Sequence, residues 1–163
     1  MAELFPKERL QPSLLDRLAD DEPYKKTELR DQRVLSFHKL KQSVIRDLQW
    51  LLNAGCLDTV QDLSSYPQVK QSVLNFGIPD LTGTTASNVD RTTLERMLRQ
   101  RILDFEPRIL SRSLKIRVTE KDEHNTIIFE IEGELWSQPT PERLYLKTIL
   151  DLELGSVEVK GEG

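Results

Sequence analysis

The sequence is poor in several residues that announce chemistry. It has one cysteine, Cys56, so an internal disulfide is excluded and so is a cysteine-rich zinc site; a reducing compartment suits it. Its 7 glycines are scattered, and none forms a phosphate-binding loop. No serine sits in a Gly-x-Ser-x-Gly elbow. The two histidines, His38 and His124, lie far apart without a partner at metal-ligand spacing, so surface or packing roles are expected for both. No run approaches the ~18 apolar residues of a membrane span. The stretch from Met1 to Leu10 lacks an apolar run of signal-peptide length, so export by that route is not expected. Aromatics make up 6% of the chain, which leaves Leu, Ile and Val to build the core.

What is present fits one soluble domain. The chain has 163 residues, 37% of them hydrophobic and 31% charged, and ~100–200 residues is the usual size of a domain. Net charge is −4, which disfavours a generic nucleic-acid binder. That value hides a split. Residues 91–121 carry nine bases and four acids, whereas residues 122–163 carry ten acids and three bases. Two readings are open: two faces that attract each other within one fold, or two surfaces for different partners. The arginines of 90–105 are interleaved with Leu and Ile rather than stacking aromatics, a poor match to a nucleic-acid surface.

Periodicity supplies the elements. Leu14, Leu15 and Leu18 share one face of a short helix over 13–19, with Ser13 as cap and Asp16 completing a weak capping box. A helix this short is marginal alone and needs a surface for its leucines, in its own domain or on another chain. The charged stretch Asp20 to Arg33, with Pro23, separates it from the body. Phe37, Leu40, Val44, Leu48 and Leu51 define a helix over 36–53, capped by Ser36 and ended by Gly55, with Trp50 at the edge of the core or in an interface. From Asp58 to Gly83 the pattern is mixed: Tyr66-Pro67 breaks a helical run, and Gly77 and Pro79 fix a bend that turns Phe76, Ile78 and Leu81 inward. Thr82 to Asn88 reads as a polar loop. Leu94, Met97, Leu98, Arg101, Ile102 and Phe105 keep near-helical spacing over 90–105, and Pro107 ends that helix.

Alternation follows. Leu114, Ile116 and Val118 mark one strand, and Ile127, Phe129, Ile131 and Leu135 a second. Leu144, Leu146, Leu150, Leu152 and Leu154 mark a third, while Val157 and Val159 could add a short last one. Lys121 to Asn125 suits a hairpin connection. Helices first and strands after argue α+β, with N-terminal helices on a C-terminal antiparallel sheet of about three strands over 113–120, 125–135 and 144–154. The organisation expected is a short helix with a charged linker over 1–35, one domain over 36–155 and a tail over 156–163.

Four segments then occur in an informative order: Leu14-Leu15-Asp16-Arg17-Leu18, Ile45-Arg46-Asp47-Leu48-Gln49-Trp50-Leu51-Leu52-Asn53, Asn75-Phe76-Gly77-Ile78-Pro79-Asp80 and Phe105-Glu106-Pro107-Arg108. Over about residues 10–155 the chain resembles the TssE family of type VI secretion baseplates. That family is similar to the small wedge protein of contractile-phage baseplates, once labelled lysozyme-like. The resemblance implies a non-enzymatic scaffold without catalytic residue, cofactor or metal. It implies a place in the cytoplasm, at the baseplate on the inner membrane but not inserted in it. Its implied partners are wedge proteins of the TssF and TssG families and contractile sheath subunits, with no nucleic acid. Glu106, Pro107 and Arg108 are the implied partner-binding turn, and the unpartnered leucines Leu14, Leu15 and Leu18 join them as candidates. A peptidoglycan-cleaving enzyme and a free-standing regulatory module are the alternatives. Turnover of peptidoglycan would single out the first, and failure to recover baseplate proteins the second. Arg108→Ala is expected to leave the domain folded while disabling assembly, with Arg108 paired across an interface. The competing reading makes Arg108 an internal brace to Glu106 or the acidic sheet, whose loss would lower the melting temperature.

Overall fold

A computed structural model describes residues 9–10, 13–18, 24, 37–83, 89–121, 125–138 and 140–161. The chain is α+β. Its main sheet is a four-stranded antiparallel meander in the order β2 (Lys115–Lys121), β3 (Thr126–Leu135), β5 (Glu142–Asp151), β6 (Ser156–Gly161). A separate two-stranded ribbon pairs β1 (Arg9–Leu10) with β4 (Ser137–Gln138). Two long helices, α2 (Phe37–Asn53) and α4 (Arg91–Phe105), lie along β6 and β2 respectively. Two short ones, α1 (Leu14–Leu18) and α3 (Pro67–Lys70), complete the set.

The period-two pattern puts Ile116, Val118, Ile127, Phe129, Ile131, Leu144, Leu146, Leu150, Val157 and Val159 on one sheet face. These side chains meet Leu40, Val44, Leu48, Leu51, Leu94, Leu98 and Ile102 from α2 and α4 in a single core. Fully burying one such side chain is worth about 1.5–3 kcal/mol. The opposite face alternates in charge. Lys115 stands opposite Glu132 and Arg117 opposite Glu130, while Glu130 and Glu134 oppose Lys147 and Arg143. Part of the charge split along the chain is thereby resolved within the fold, since basic β2 lies beside acidic β3.

Several expectations are refined. The residues from 156 onward, expected as a tail, supply the fourth strand through Ser156–Gly161. The third strand is shifted, beginning at Glu142 and ending at Asp151. Leu154 is therefore not on the inner face. Asp151 Oδ1 accepts from the N–H groups of Glu153 and Leu154, at 2.8 and 3.0 Å. Gly155, at φ 63°, then turns the chain back and leaves Leu154 exposed. Pro67 opens α3 rather than only breaking a helix, because its missing N–H is no loss at the first helical position. Asp90 caps α4 by accepting from Thr93 N at 2.9 Å. Asn125, at φ 58°, turns the β2–β3 connection. Ser36, His124, most of the 20–33 stretch and residues 84–88 of the polar loop lie outside the described residues.

Candidate functional site

The turn that ends α4 is held from both sides. Pro107 blocks further helix, and Glu106 N–H closes the last helical bond on Ile102 O at 2.8 Å. Beyond it, Ile109 bridges to Leu135, and Trp136 N–H donates to Arg108 O at 2.8 Å. The turn is thus stitched to the end of β3, next to β4 and its partner β1.

Arg108 is buried and its guanidinium faces inward. Nε donates to Glu106 Oε1 at 2.6 Å, and Nη2 bonds both Glu106 Oε2 and Asp47 Oδ2, the latter at 2.6 Å. Nη1 reaches Ser43 Oγ at 3.0 Å and lies 4.0 Å from Asp16 Oδ2. Asp47 Oδ1 also accepts from Arg46 Nε and Nη2, at 2.9 and 2.7 Å, and Arg46 Nη1 donates to Asp16 Oδ1 at 2.8 Å. Burial weakens the Arg108 cation, but the Glu106 and Asp47 carboxylates outweigh it and raise its pKa above the ordinary arginine value. Of the two readings of Arg108, its geometry is that of the internal brace. Among Glu106, Pro107 and Arg108, only Pro107 is exposed.

The brace holds α1 in an unusual posture. The capping box expected from sequence is present: Ser13 Oγ accepts from Asp16 N at 3.2 Å, and Asp16 Oδ2 accepts from Ser13 N at 3.3 Å. Asp16 points to the body and to Arg46. Leu14, Leu15 and Leu18 point away, exposed by 69%, 49% and 74%. The polar residue of this helix is tethered and its apolar residues face solvent, the reverse of a helix docked on its own core. Trp50 is exposed nearby, with the Arg46 guanidinium 5.0 Å above its ring. The structure therefore gathers the two candidate groups, the turn and the leucine helix, through one network. Sequence reading gave no role to Ser43 or to Asp47, which sit one turn apart on α2 beside its apolar stripe and carry the link.

A second buried arginine fixes the segment between α2 and α4. Arg101 Nη2 holds both oxygens of Asp58, at 3.0 and 2.9 Å. Asn75, fully buried, accepts from Asp58 N at 3.0 Å and donates to Lys70 O at 2.9 Å. Cys56 Sγ donates to Asp58 Oδ1 at 2.7 Å. The following bend needs its glycine. Gly77 has φ 117°, and a Cβ there would overlap the Ala54 carbonyl, onto which Ile78 N–H closes at 2.9 Å. Phe76 stacks edge-on against Phe105, centroids 5.3 Å apart.

Among the described residues no group of three or more His, Cys, Asp or Glu side chains could hold a metal ion. No helix among them is long and apolar enough to cross a membrane. His38 is exposed and bonded to Gln42 at 2.9 Å. An α+β unit whose polar clusters are turned to holding elements together, with an apolar helix displayed outward, defines a structural class of protein. A family model described as baseplate wedge protein gp25 matches residues 38–140, from the start of α2 to the loop after β4. The chain belongs to this family, and its structural baseplate role follows. No curated protein matches the chain.

Proposed function

We propose that the protein is the TssE-type wedge component of a type VI secretion baseplate, without enzymatic activity. It joins wedge proteins of the TssF and TssG families and gives the contractile sheath its starting point, on the cytoplasmic side of the inner membrane. The partner-binding corner comprises Leu14, Leu15, Leu18, Glu106, Pro107 and Arg108. The leucines and Pro107 make the contact, and Glu106 and Arg108 hold them in place.

The observation that carries this reading is the outward leucine face of a helix anchored by Asp16. A five-residue helix does not persist in water for its own sake. Its cap and its ion pair keep it ordered with the leucines presented, which lowers the ordering cost at docking. Docking that covers Leu14 and Leu18 is worth about 1.5–3 kcal/mol for each side chain fully buried. The test is Leu14→Asp/Leu18→Asp. Its melting temperature should match wild type, since both sites are exposed. Tagged wild-type protein should recover the wedge proteins from cells, and the variant about tenfold less or worse. Equal recovery by the folded variant would remove the leucine helix from the interface. No wedge proteins recovered by wild type would remove the reading altogether.

A further inference from the structure

A cleft of about 310 Å³ opens at the end of the sheet away from the Arg108 turn. Three pieces of chain frame it: the end of α2, the 78–82 segment after the Gly77 bend, and the turn between β5 and β6. The Arg108 turn is stitched to Leu135 and Trp136, beside the Glu142 end of β5, whereas the cleft lies at the Asp151 end. The 10 residues of β5 put about 30 Å between those ends. The frame is fixed. Ile78 is bonded to the end of α2 through Ala54 O and Cys56 N. Gly155 lies against Thr82, where a Cβ would overlap the threonine methyl. Asp80 Oδ1 accepts from Thr82 N at 2.9 Å, and Asp151 holds the turn on the other side through the N–H groups of Glu153 and Leu154. A cleft framed in this way is preformed, which keeps the ordering cost of docking low.

The lining combines two chemistries. Leu52, Ile78, Leu150 and Leu152 are buried and give the cleft an apolar floor, and Leu154 stands exposed at its rim. Its charged members among the described residues are Asp80 and Asp151, with no basic side chain beside them. Neither carboxylate has an ion-pair partner among those residues. The end of α2 adds the same sign, because the negative pole of its dipole lies here and its last turn carries no basic residue. We propose that this cleft docks a lysine or arginine side chain presented on a loop of another protein, with the aliphatic stem against the leucines and the charge at Asp80 and Asp151. The occupant follows from the lining. An acidic side chain is repelled, and a purely apolar one leaves both carboxylates uncompensated. A metal ion would find only two carboxylates and has no use for an apolar floor. A long basic side chain meets both needs, since its stem is apolar and its head is charged. At the lower end of the ~300–1,000 Å³ of ligand clefts, the volume suits side chains rather than a helix. This site is separate from the leucine corner and stands or falls independently of the wedge reading.

The probe is a short Gly/Ser peptide, blocked at both ends, with one central lysine. Two controls replace that lysine, one by norleucine, which keeps the stem without the charge, and one by glutamate. Binding is followed by amide NMR of the isotope-labelled full chain. The lysine peptide should shift the resonances of Gly55, Leu152 and Leu154 and leave those of Leu14 and Leu18 in place. The norleucine peptide should bind about fivefold more weakly, and the glutamate peptide should cause no shift. Asp80→Asn/Asp151→Asn keeps the Oδ1 acceptors that hold the two turns and removes both charges. Its melting temperature should match wild type, and it should bind the lysine peptide about fivefold more weakly while treating norleucine as wild type does. Should the double variant melt lower, Asp80→Asn alone, at an exposed position, makes the same comparison. Equal binding of the lysine and norleucine peptides, or undiminished lysine binding by the folded variant, would remove the carboxylates from the site. Shifts confined to other surfaces, or none up to the solubility limit of the lysine peptide, would overturn the cleft as a docking site.

Discussion

Arg101 and Arg108 come from one stretch of chain, and both are buried, yet they do different work. Arg101 faces a single carboxylate, Asp58, whose side chain is 23% exposed. Arg108 faces Glu106, 3% exposed, together with Asp47 and, at longer range, Asp16. The first pair is balanced in charge and close to water. The second cluster gathers three carboxylates around two guanidiniums, with Arg46 supplying the other. An ion pair's value depends on what its partner can do once abandoned: Asp58 can hydrate, and Glu106 cannot. Arg101 thus fastens a loop, whereas Arg108 neutralises an interior.

The largest expected effect follows. Arg108→Ala should destabilise the domain by about 3–5 kcal/mol, the usual loss when one member of a buried pair is removed. At this chain length that lowers the melting temperature by on the order of 10 °C. An unchanged melting temperature with wedge proteins lost from the pull-down would restore Arg108 to the interface.

Arg101→Ala should cost less, about 1–2 kcal/mol, because Asp58 gains water. Its signature should be local. Cys56, the single cysteine, is buried beside Asp58, and burial followed by the bond to that carboxylate pushes its thiol pKa up. A loosened 57–75 segment should speed labelling of Cys56 by a thiol reagent more than global destabilisation explains. In Arg108→Ala, labelling should instead track global stability. Equal ratios of labelling to stability in the two variants would erase the distinction drawn here.

This contrast was half legible in the sequence. The helices and strands are written in local periodicity, and Ser13 with Asp16 announced the cap of α1. Arg101 fell among the residues that keep the helical spacing of α4, and nothing in that spacing assigned it a buried partner. Its partner was not visible, because Asp58 lies 43 residues away. Arg108 and Asp47 are 61 apart, and the Asn53 amide reaches Val157 across 104. Pairs at such separation leave no periodic trace. The fourth strand was underestimated for a related reason: two valines in six residues form a weak alternation, and much of what covers that edge comes from α2.

The smallest effect probes the outer end of the Arg108 cluster. Burial pushes the Asp16 carboxyl up, but hydrogen bonds from Arg46 and Ser13 outweigh it and hold its pKa below the ordinary 3.8. A carboxylate depressed in the folded state contributes stability that is fully present above 3.8 and fades as pH falls through its lower folded value. Asp16→Asn keeps the size of the side chain and loses the charge. Arg46 is partly exposed, so water screens the pair and its worth is about 0.5–1 kcal/mol. At neutral pH the variant should therefore show α1 amide protection a few-fold lower than wild type. Well below 3.8 the two proteins should converge. A difference that persists in acid would mean that the Asp16 charge is not what anchors α1. Were α1 to loosen at neutral pH with wedge recovery unaffected, a preorganised leucine helix would no longer be needed to explain docking, and the Arg108 cluster would serve the fold alone.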